Sequence, residues 1–119
     1  MKAVLFAAAM VAVGAVQAKA PAATQAEVAH LMTAVEKSQC KFNRNGSWYD
    51  AKAAREHLEK KFAYLDNKDM VSSAESFIER GASTSSMSGK PYQMQCAGAQ
   101  TVTSAAWLNT ELAKFRKAK

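Results

Sequence analysis

The spacing of the apolar residues predicts four helices. In segments near residues 25–37, 50–65, 72–81 and 103–115, apolar side chains recur every three or four positions, which places them on one face of a helix. The faces expected to be buried contain Val28, Leu31, Met32 and Val35, then Ala54, Leu58, Phe62 and Leu65, then Phe77 and Ile78, and finally Trp107, Leu108, Leu112 and Phe115.

Capping residues indicate where these helices should begin and end. Thr24–Glu27 and Ser72–Glu75 both fit a capping box, in which a hydroxyl accepts from a backbone amide and a glutamate reaches back. Asp50 is a suitable N-cap for the second helix, and Thr103–Ser104 supplies one for the last. Gly81 is well placed to end the third helix.

Alternating polar and apolar residues predict a small sheet. Asn45-Gly46 is a strong signal for a two-residue hairpin between short strands near 40–42 and 47–49. Residues 92–96 alternate so that one face should be buried, and a short extended piece follows near Val102. The predicted fold class is therefore α+β, with a small antiparallel sheet of about three strands covered by about four helices.

The start of the chain has the features of a secretory signal peptide. Lys2 precedes the apolar run Ala3–Val16, which leads into the small-residue site Val16-Gln17-Ala18. A membrane-spanning helix needs about 20 apolar residues, so cleavage is expected rather than an anchor. The sequence thus predicts a signal peptide over residues 1–18, a single α+β domain over residues 19–119, periplasmic localisation and no transmembrane segment after cleavage.

Two cysteines, Cys40 and Cys96, stand far apart in the chain. In an oxidising compartment, an isolated pair in a small domain is most simply a structural disulfide. A thiol redox site would favour a C-x-x-C spacing, which these cysteines do not have. Bonding them would bring the first hairpin strand beside the late strand.

The chain is basic, with 16 lysines and arginines, 10 acidic residues and a formal net charge of +6. Such a surplus attracts anionic lipid headgroups, cell-wall polymers or acidic protein surfaces, although it also serves solubility alone. No nucleic-acid partner is expected, because an exported protein does not meet one and no strand interleaves basic with aromatic residues.

A serine-rich stretch at residues 82–90 is the most unusual segment. Its hydroxyls and its lysine offer donors for an anion, and the arginine at the hairpin tip could grip a carboxylate or phosphate. The candidate ligand- or partner-binding residues are Arg44, Ser83, Ser85, Ser86, Ser88 and Lys90. The alternative is that the hydroxyls bond to neighbouring backbone groups and only fix a helix-to-strand connection.

His57 and Glu75 are candidates for polar support of that surface. His57 directly precedes Leu58 of the expected buried face, so it should lie at the edge of the core with a polar partner. A serine hydrolase would require a positioned nucleophile, but the chain contains no G-x-S-x-G elbow. No metal site is expected, because His30 lies on another helix. No cofactor is expected either, since the chain lacks a cofactor fingerprint.

Several motifs, in order along the chain, resemble the YfeK-like family of small exported bacterial proteins. These motifs are Cys40–Gly46, His57-Leu58, Ala74–Ile78, Ala82–Tyr92 and Trp107-Leu108. The resemblance implies an exported, single-domain protein of the Gram-negative envelope. Because that family is one of unknown function, the resemblance implies no substrate and no catalytic residue.

The sequence favours a small periplasmic binding or protein-interaction module without catalytic activity. Its expected partner is an unknown periplasmic protein or an anionic ligand of the cell envelope. Two alternatives stay open. One is a cell-envelope enzyme or accessory factor that uses serine and histidine chemistry, and the other is an inhibitor of an exported hydrolase.

Overall fold

A computed structural model describes residues 20–118, and the predicted signal peptide at residues 1–18 lies outside them. The helices are α1 (Ala22–Ser38), α2 (Ala51–Asn67), α3 (Ala74–Gly81) and α4 (Ser104–Lys117). The strands are β1 (Lys41–Arg44), β2 (Ser47–Tyr49), β3 (Gln93–Gln95) and β4 (Val102–Thr103). Within the described residues, no helix is both long and apolar enough to cross a membrane.

The strands form one antiparallel sheet in the order β2-β1-β3-β4. Phe42 on β1 pairs with Tyr49 on β2 and with Met94 on β3, so these side chains point to the same face of the sheet. Phe42 and Met94 are each 1% exposed, which identifies this face as the inner one. The predicted α+β fold is confirmed, with four strands instead of about three. The fourth strand, β4, has only 2 residues and coincides with the short extended piece predicted near Val102.

The helices bury the faces that their apolar spacing predicted. The core contains the predicted residues of α1 together with Ala54, Leu58, Phe77, Leu108 and Leu112. Phe62 and Trp107 pack against it while only partly buried. Phe115 stacks on His30 with the ring centroids 4.1 Å apart, which ties the end of α4 to α1.

Helix α1 begins earlier than predicted, because its expected capping residues have partners elsewhere. Pro21 is the N-cap, and its fixed φ suits the start of a helix. Thr24 lies inside the helix and its hydroxyl donates to the backbone carbonyl of Ser72 at 3.4 Å. Glu27 accepts two hydrogen bonds from Arg116, at 2.8 and 2.9 Å. The predicted capping box at Thr24–Glu27 is therefore wrong.

Helices α2 and α3 are capped by side chains. Asp50 caps α2 as predicted and accepts from the Ala53 amide at 2.8 Å. The capping box of α3 lies one residue later than predicted. Ser73 is the N-cap and accepts from the Ser76 amide, while the Ser76 hydroxyl accepts from the Ser73 amide. A serine thus replaces the glutamate expected to reach back.

Gly81 is the last residue of α3, and close packing explains why a glycine stands there. A Cβ atom at this position would lie 2.8 Å from Leu65 Cδ1 and 2.9 Å from Phe77 Cε1. The missing side chain lets α3 pack tightly against the end of α2. The C-cap itself is Ala82.

The two central strands are crosslinked at one end. The predicted disulfide joins Cys40, just before β1, to Cys96, just after β3. Helix α4 is attached at its start, where Thr103 caps it by accepting from the Ala106 amide. The fully buried Ser104 hydroxyl donates to the Ala82 carbonyl at 2.6 Å.

Candidate functional site

The β1–β2 hairpin presents Arg44 at its tip. Asn45 and Gly46 form the turn with φ of 55° and 86°, the positive values that an Asn-Gly turn between two strands requires. The Asn43 side-chain oxygen accepts from the Gly46 amide at 3.2 Å. The Arg44 guanidinium lies over the Tyr49 ring, 5.1 Å from its centroid, in a cation–π contact. The hairpin therefore holds this cation in a defined place.

Two of the candidate serines hold the serine-rich loop in shape. The Ser83 hydroxyl donates to the Ile78 carbonyl at 2.7 Å, at the end of α3. Ser85 is 4% exposed, and its hydroxyl accepts from the amides of Met87 and Ser88. These bonds are the helix-to-strand connection that the sequence left open as an alternative for the serines.

The exposed serines connect the loop to other elements. The Ser86 hydroxyl accepts from Lys61 Nζ on α2 at 2.7 Å. The Ser88 hydroxyl donates to the Asn45 side-chain oxygen in the hairpin turn at 2.5 Å. Lys90 is exposed beside them, and its backbone amide donates to the Ser88 hydroxyl. The loop thus lies between the hairpin tip and α2.

His57 has its polar partner in the middle of this region. His57 Nε2 lies 3.1 Å from the Tyr92 hydroxyl, and the two rings meet edge to face. Burial, together with the positive charges of Arg44, Lys61 and Lys60, lowers the pKa of His57 from 6.5 to about 4. Burial also raises the pKa of the Tyr92 hydroxyl. Both side chains are therefore neutral at pH 7.

These contacts define a surface that we call the basic face, made of Arg44, His57, Lys60, Lys61, Ser86 and Ser88. Burial and the Arg44 charge lower the pKa of Lys61, because the nearby positive charges repel one another. Among the described residues, none of the ion pairs involves Arg44, Lys60 or Lys61. Within residues 20–118, no ion pair therefore neutralises these three cations.

Sequence reasoning missed Lys60 as part of this surface and Tyr92 as the buried partner of His57. Lys60 was detectable, because it follows His57 by three positions and so lies on the same side of α2. Tyr92 was identified only as an inward residue of the late strand. Its role as partner of His57 depends on how β3 meets α2, which no local pattern encodes.

The structure places Glu75 in a separate group of contacts. Its carboxylate accepts from Arg116 at 2.6 and 3.0 Å, and the same arginine binds Glu27. The contact with Arg116 lowers the pKa of Glu75. This group ties α4 to α1 and α3, so Glu75 stabilises the helix packing instead of supporting His57.

Metal ligation finds no support in this arrangement. Across residues 20–118, no group of three or more His, Cys, Asp or Glu side chains is placed to hold a metal ion. The chemistry on offer at the basic face is hydrogen-bond donation and positive charge.

Comparison with known proteins assigns the chain to a family. Residues 22–116 match the model of a family described as a family of unknown function (DUF5329). The match runs from the first residue of α1 almost to the end of α4, so it includes every element of the basic face. No curated protein and no solved structure matches the chain.

Proposed function

We propose that this chain, which belongs to DUF5329, a family of unknown function, is an exported, non-catalytic binding module for an anionic ligand of the cell envelope. The observation that carries the proposal is the uncompensated positive charge of the basic face. Arg44, Lys60 and Lys61 come from two elements and converge without a carboxylate partner among the described residues.

Bringing like charges together lowers stability unless a partner neutralises them. Burial lowers the pKa of both His57 and Lys61, and the repulsion from the neighbouring cations lowers it further. Neighbouring hydroxyls on Ser86 and Ser88 add hydrogen-bonding groups that are neutral and exposed. An anion would relieve the repulsion and accept from the Ser86 hydroxyl, which itself accepts from Lys61, whereas the Ser88 hydroxyl already donates its proton to Asn45.

Export is part of the proposal and has separate support. A disulfide between Cys40 and Cys96 persists in an oxidising compartment such as the periplasm. The signal-peptide pattern of residues 1–18 and the resemblance to the YfeK-like family of small exported proteins favour the same location. The net charge of +6, or +5 once Lys2 is removed with the signal peptide, suits a protein that meets anionic envelope polymers.

A second candidate, an envelope enzyme, is favoured by one contact. Lys61 Nζ donates to the Ser86 hydroxyl at 2.7 Å, and burial lowers the pKa of this lysine. Serine–lysine pairs of this kind activate a serine nucleophile in some hydrolases. In this candidate Lys61 takes the role of base that the sequence hypothesis gave to His57, whose Nε2 lies 3.1 Å from the Tyr92 hydroxyl.

A serine-directed fluorophosphonate reagent separates the two functions. A binding module should give no labelled serine. Labelling of Ser86 that disappears in a folded Lys61→Gln variant would favour the enzyme and overturn the non-catalytic proposal.

Co-sedimentation with envelope material tests the binding proposal. Isolated cell-wall fragments and vesicles of an anionic lipid are mixed with the oxidised protein at low salt, and the bound fraction is measured. A variant combining Arg44→Gln and Lys61→Gln should bind about a hundredfold more weakly, since each lost contact is a charged hydrogen bond that contributes about tenfold. The matched control combines Lys37→Gln and Lys117→Gln, which remove the same charge elsewhere.

The control decides between a site and bulk charge. Retained binding by the control and loss by the first variant would support the basic face as the contact surface. Equal losses would mean that net charge alone drives adsorption, and no binding by the parent protein would refute the proposal.

A further inference from the structure

A small open cleft lies at one side of the basic face, between the hairpin and α2. Its volume is about 190 Å³, and its lining includes Arg44, Tyr49, Glu56, His57 and Lys60. Drug-sized ligands occupy pockets of about 300–1,000 Å³. This cleft is therefore suited to one charged end group, with the remainder of the ligand outside.

The walls of the cleft carry more positive than negative charge. Arg44 and Lys60 line it directly, and Lys61 follows on the same helix. The one carboxylate in the lining is Glu56, which is paired with Lys52 at 2.9 Å. His57 contributes a neutral ring. A ligand with two negative charges matches this surplus better than one with a single charge.

Arg44 is oriented for an oxyanion before any ligand arrives. The Tyr49 ring, whose centroid lies 5.1 Å from the guanidinium carbon, holds the cation through its π face and accepts none of its N–H groups in a hydrogen bond. No hydrogen bond or ion pair to the Arg44 guanidinium occurs within residues 20–118. An arginine edge binds two oxygens of one phosphate or carboxylate group side by side.

We propose that the cleft binds the phosphoryl group of a phosphate monoester, held by the Arg44 guanidinium and the Lys60 ammonium. The inference rests on the proposed function and specifies its ligand. A phosphate monoester carries close to two negative charges at pH 7, whereas a sulfate ester and a carboxylate carry one. The same chemical group occurs on soluble phosphorylated compounds and on lipid headgroups.

Matched aromatic anions test the ligand class. Phenyl phosphate, phenyl sulfate and benzoate are titrated at pH 7 and constant ionic strength into the isotope-labelled, oxidised protein, and NMR shifts are recorded. Phenyl phosphate should bind at least about tenfold more tightly than the two monoanions, and the shifts should be largest near Arg44, His57 and Lys60. Equal affinity for all three, or shifts elsewhere, would overturn the inference.

The pKa of His57 reports directly on binding in the cleft. It would not change on addition of the ligand if the cleft had only a structural role. The groups facing it are Arg44 on β1, Lys60, Lys61 and Glu56 on α2, and the Tyr92 hydroxyl before β3. A bound dianion offsets the positive charge of the three cations. Phenyl phosphate should therefore raise the pKa of His57 above the value of about 4 that it has in the ligand-free protein. An unchanged His57 titration at saturating phenyl phosphate would contradict binding in this cleft.

Two variants and two lipid surfaces complete the test. Arg44→Gln should weaken phenyl phosphate binding about tenfold, whereas Lys117→Gln, which removes a distant charge, should have little effect. Vesicles containing phosphatidic acid present a monoester, and those containing phosphatidylglycerol present a diester. Binding to phosphatidic acid that is selective over phosphatidylglycerol and tighter than the binding of phenyl phosphate would indicate a lipid source of the same group.

The two proposals can fail separately. Binding to envelope material that depends on Arg44, without preference for either phosphate monoester, would refute the ligand assignment and leave the binding module intact. Failure of the protein to bind envelope material and both monoesters would refute both.

Discussion

Replacing both Cys40 and Cys96 by alanine should remove a large part of the stability of this protein. The disulfide joins positions 56 residues apart. In the chain-entropy model, closing a loop of this length stabilises the folded state by about 4 kcal/mol. Domains of this size have a total unfolding free energy of about 5–15 kcal/mol. The melting temperature should accordingly fall by an amount on the order of 20 °C.

Packing adds a smaller effect in the same direction. Cys40 is 3% exposed and belongs to the core, so removing its sulfur also removes apolar contacts. This loss should cost about 1 kcal/mol, as for other small truncations in a core. Cys96 is only partly buried and contributes less.

Urea unfolding followed by circular dichroism measures the effect. The oxidised protein, the same protein with reductant, and the double alanine variant are compared. The reduced protein and the variant should unfold at similar, lower urea concentrations and with a steeper dependence on urea, because the unlinked chain exposes more surface. Reductant should not change the variant, which makes it the control.

One result would refute the reasoning. If the oxidised and reduced proteins unfold at the same urea concentration, the crosslink does not restrict the unfolded chain as the loop length requires.

Three further predictions concern single side chains. Ser104→Ala should lower the free energy of unfolding by about 1–3 kcal/mol in urea titrations, because the Ala82 carbonyl loses a buried donor 2.6 Å away. The control is Ser86→Ala, which removes an exposed hydroxyl. Equal effects of the two substitutions would contradict the argument. Gly81→Ala should lower the free energy of unfolding by about 1 kcal/mol despite the better helix propensity of alanine, since its Cβ would meet Leu65 Cδ1 at 2.8 Å. An unchanged midpoint of urea unfolding would show that the neighbouring side chains move without cost. The stability that neutral His57 provides is fully present above pH 6.5 and is lost as pH falls toward about 4, because the unfolded histidine takes up a proton that the folded one does not. In urea titrations across this pH range, the free energy of unfolding of the parent protein should fall more steeply with decreasing pH than that of His57→Gln. Parallel curves for the two proteins would be inconsistent with the lowered pKa.

Local patterns predicted the elements well but predicted their ends less well. Asn45-Gly46 specifies its turn because few other residues accept positive φ at both positions. Asp50 caps α2 through a bond to an amide three residues away, which is entirely local. The expected box at Thr24–Glu27 failed because Arg116, 89 positions after Glu27, binds that carboxylate. A local rule is overridden when a distant partner offers a stronger bond.

The candidate site shows the same division. The sequence identified Arg44, His57 and the serines as polar groups worth testing, since their chemistry is visible in any context. It could not divide the serines into those that fix the loop and those that face outward. Ser85 is buried and Ser86 is exposed, because one side of the loop packs against the body of the protein. Only the packing determines which hydroxyls remain accessible.

The sequence by itself determined the helices, the hairpin, the α+β class and the pairing of the two cysteines. The elements follow from the period of the apolar residues. The pairing follows because the chain contains no other cysteine. The tertiary structure alone decided that the hairpin tip, α2 and the serine-rich loop lie together. Arg44 and His57 approach one another because β1 packs beside α2, and Tyr92 reaches His57 because β3 pairs with β1. Charge repulsion across that junction exists only in the folded chain, since it depends on distances in space and not along the sequence.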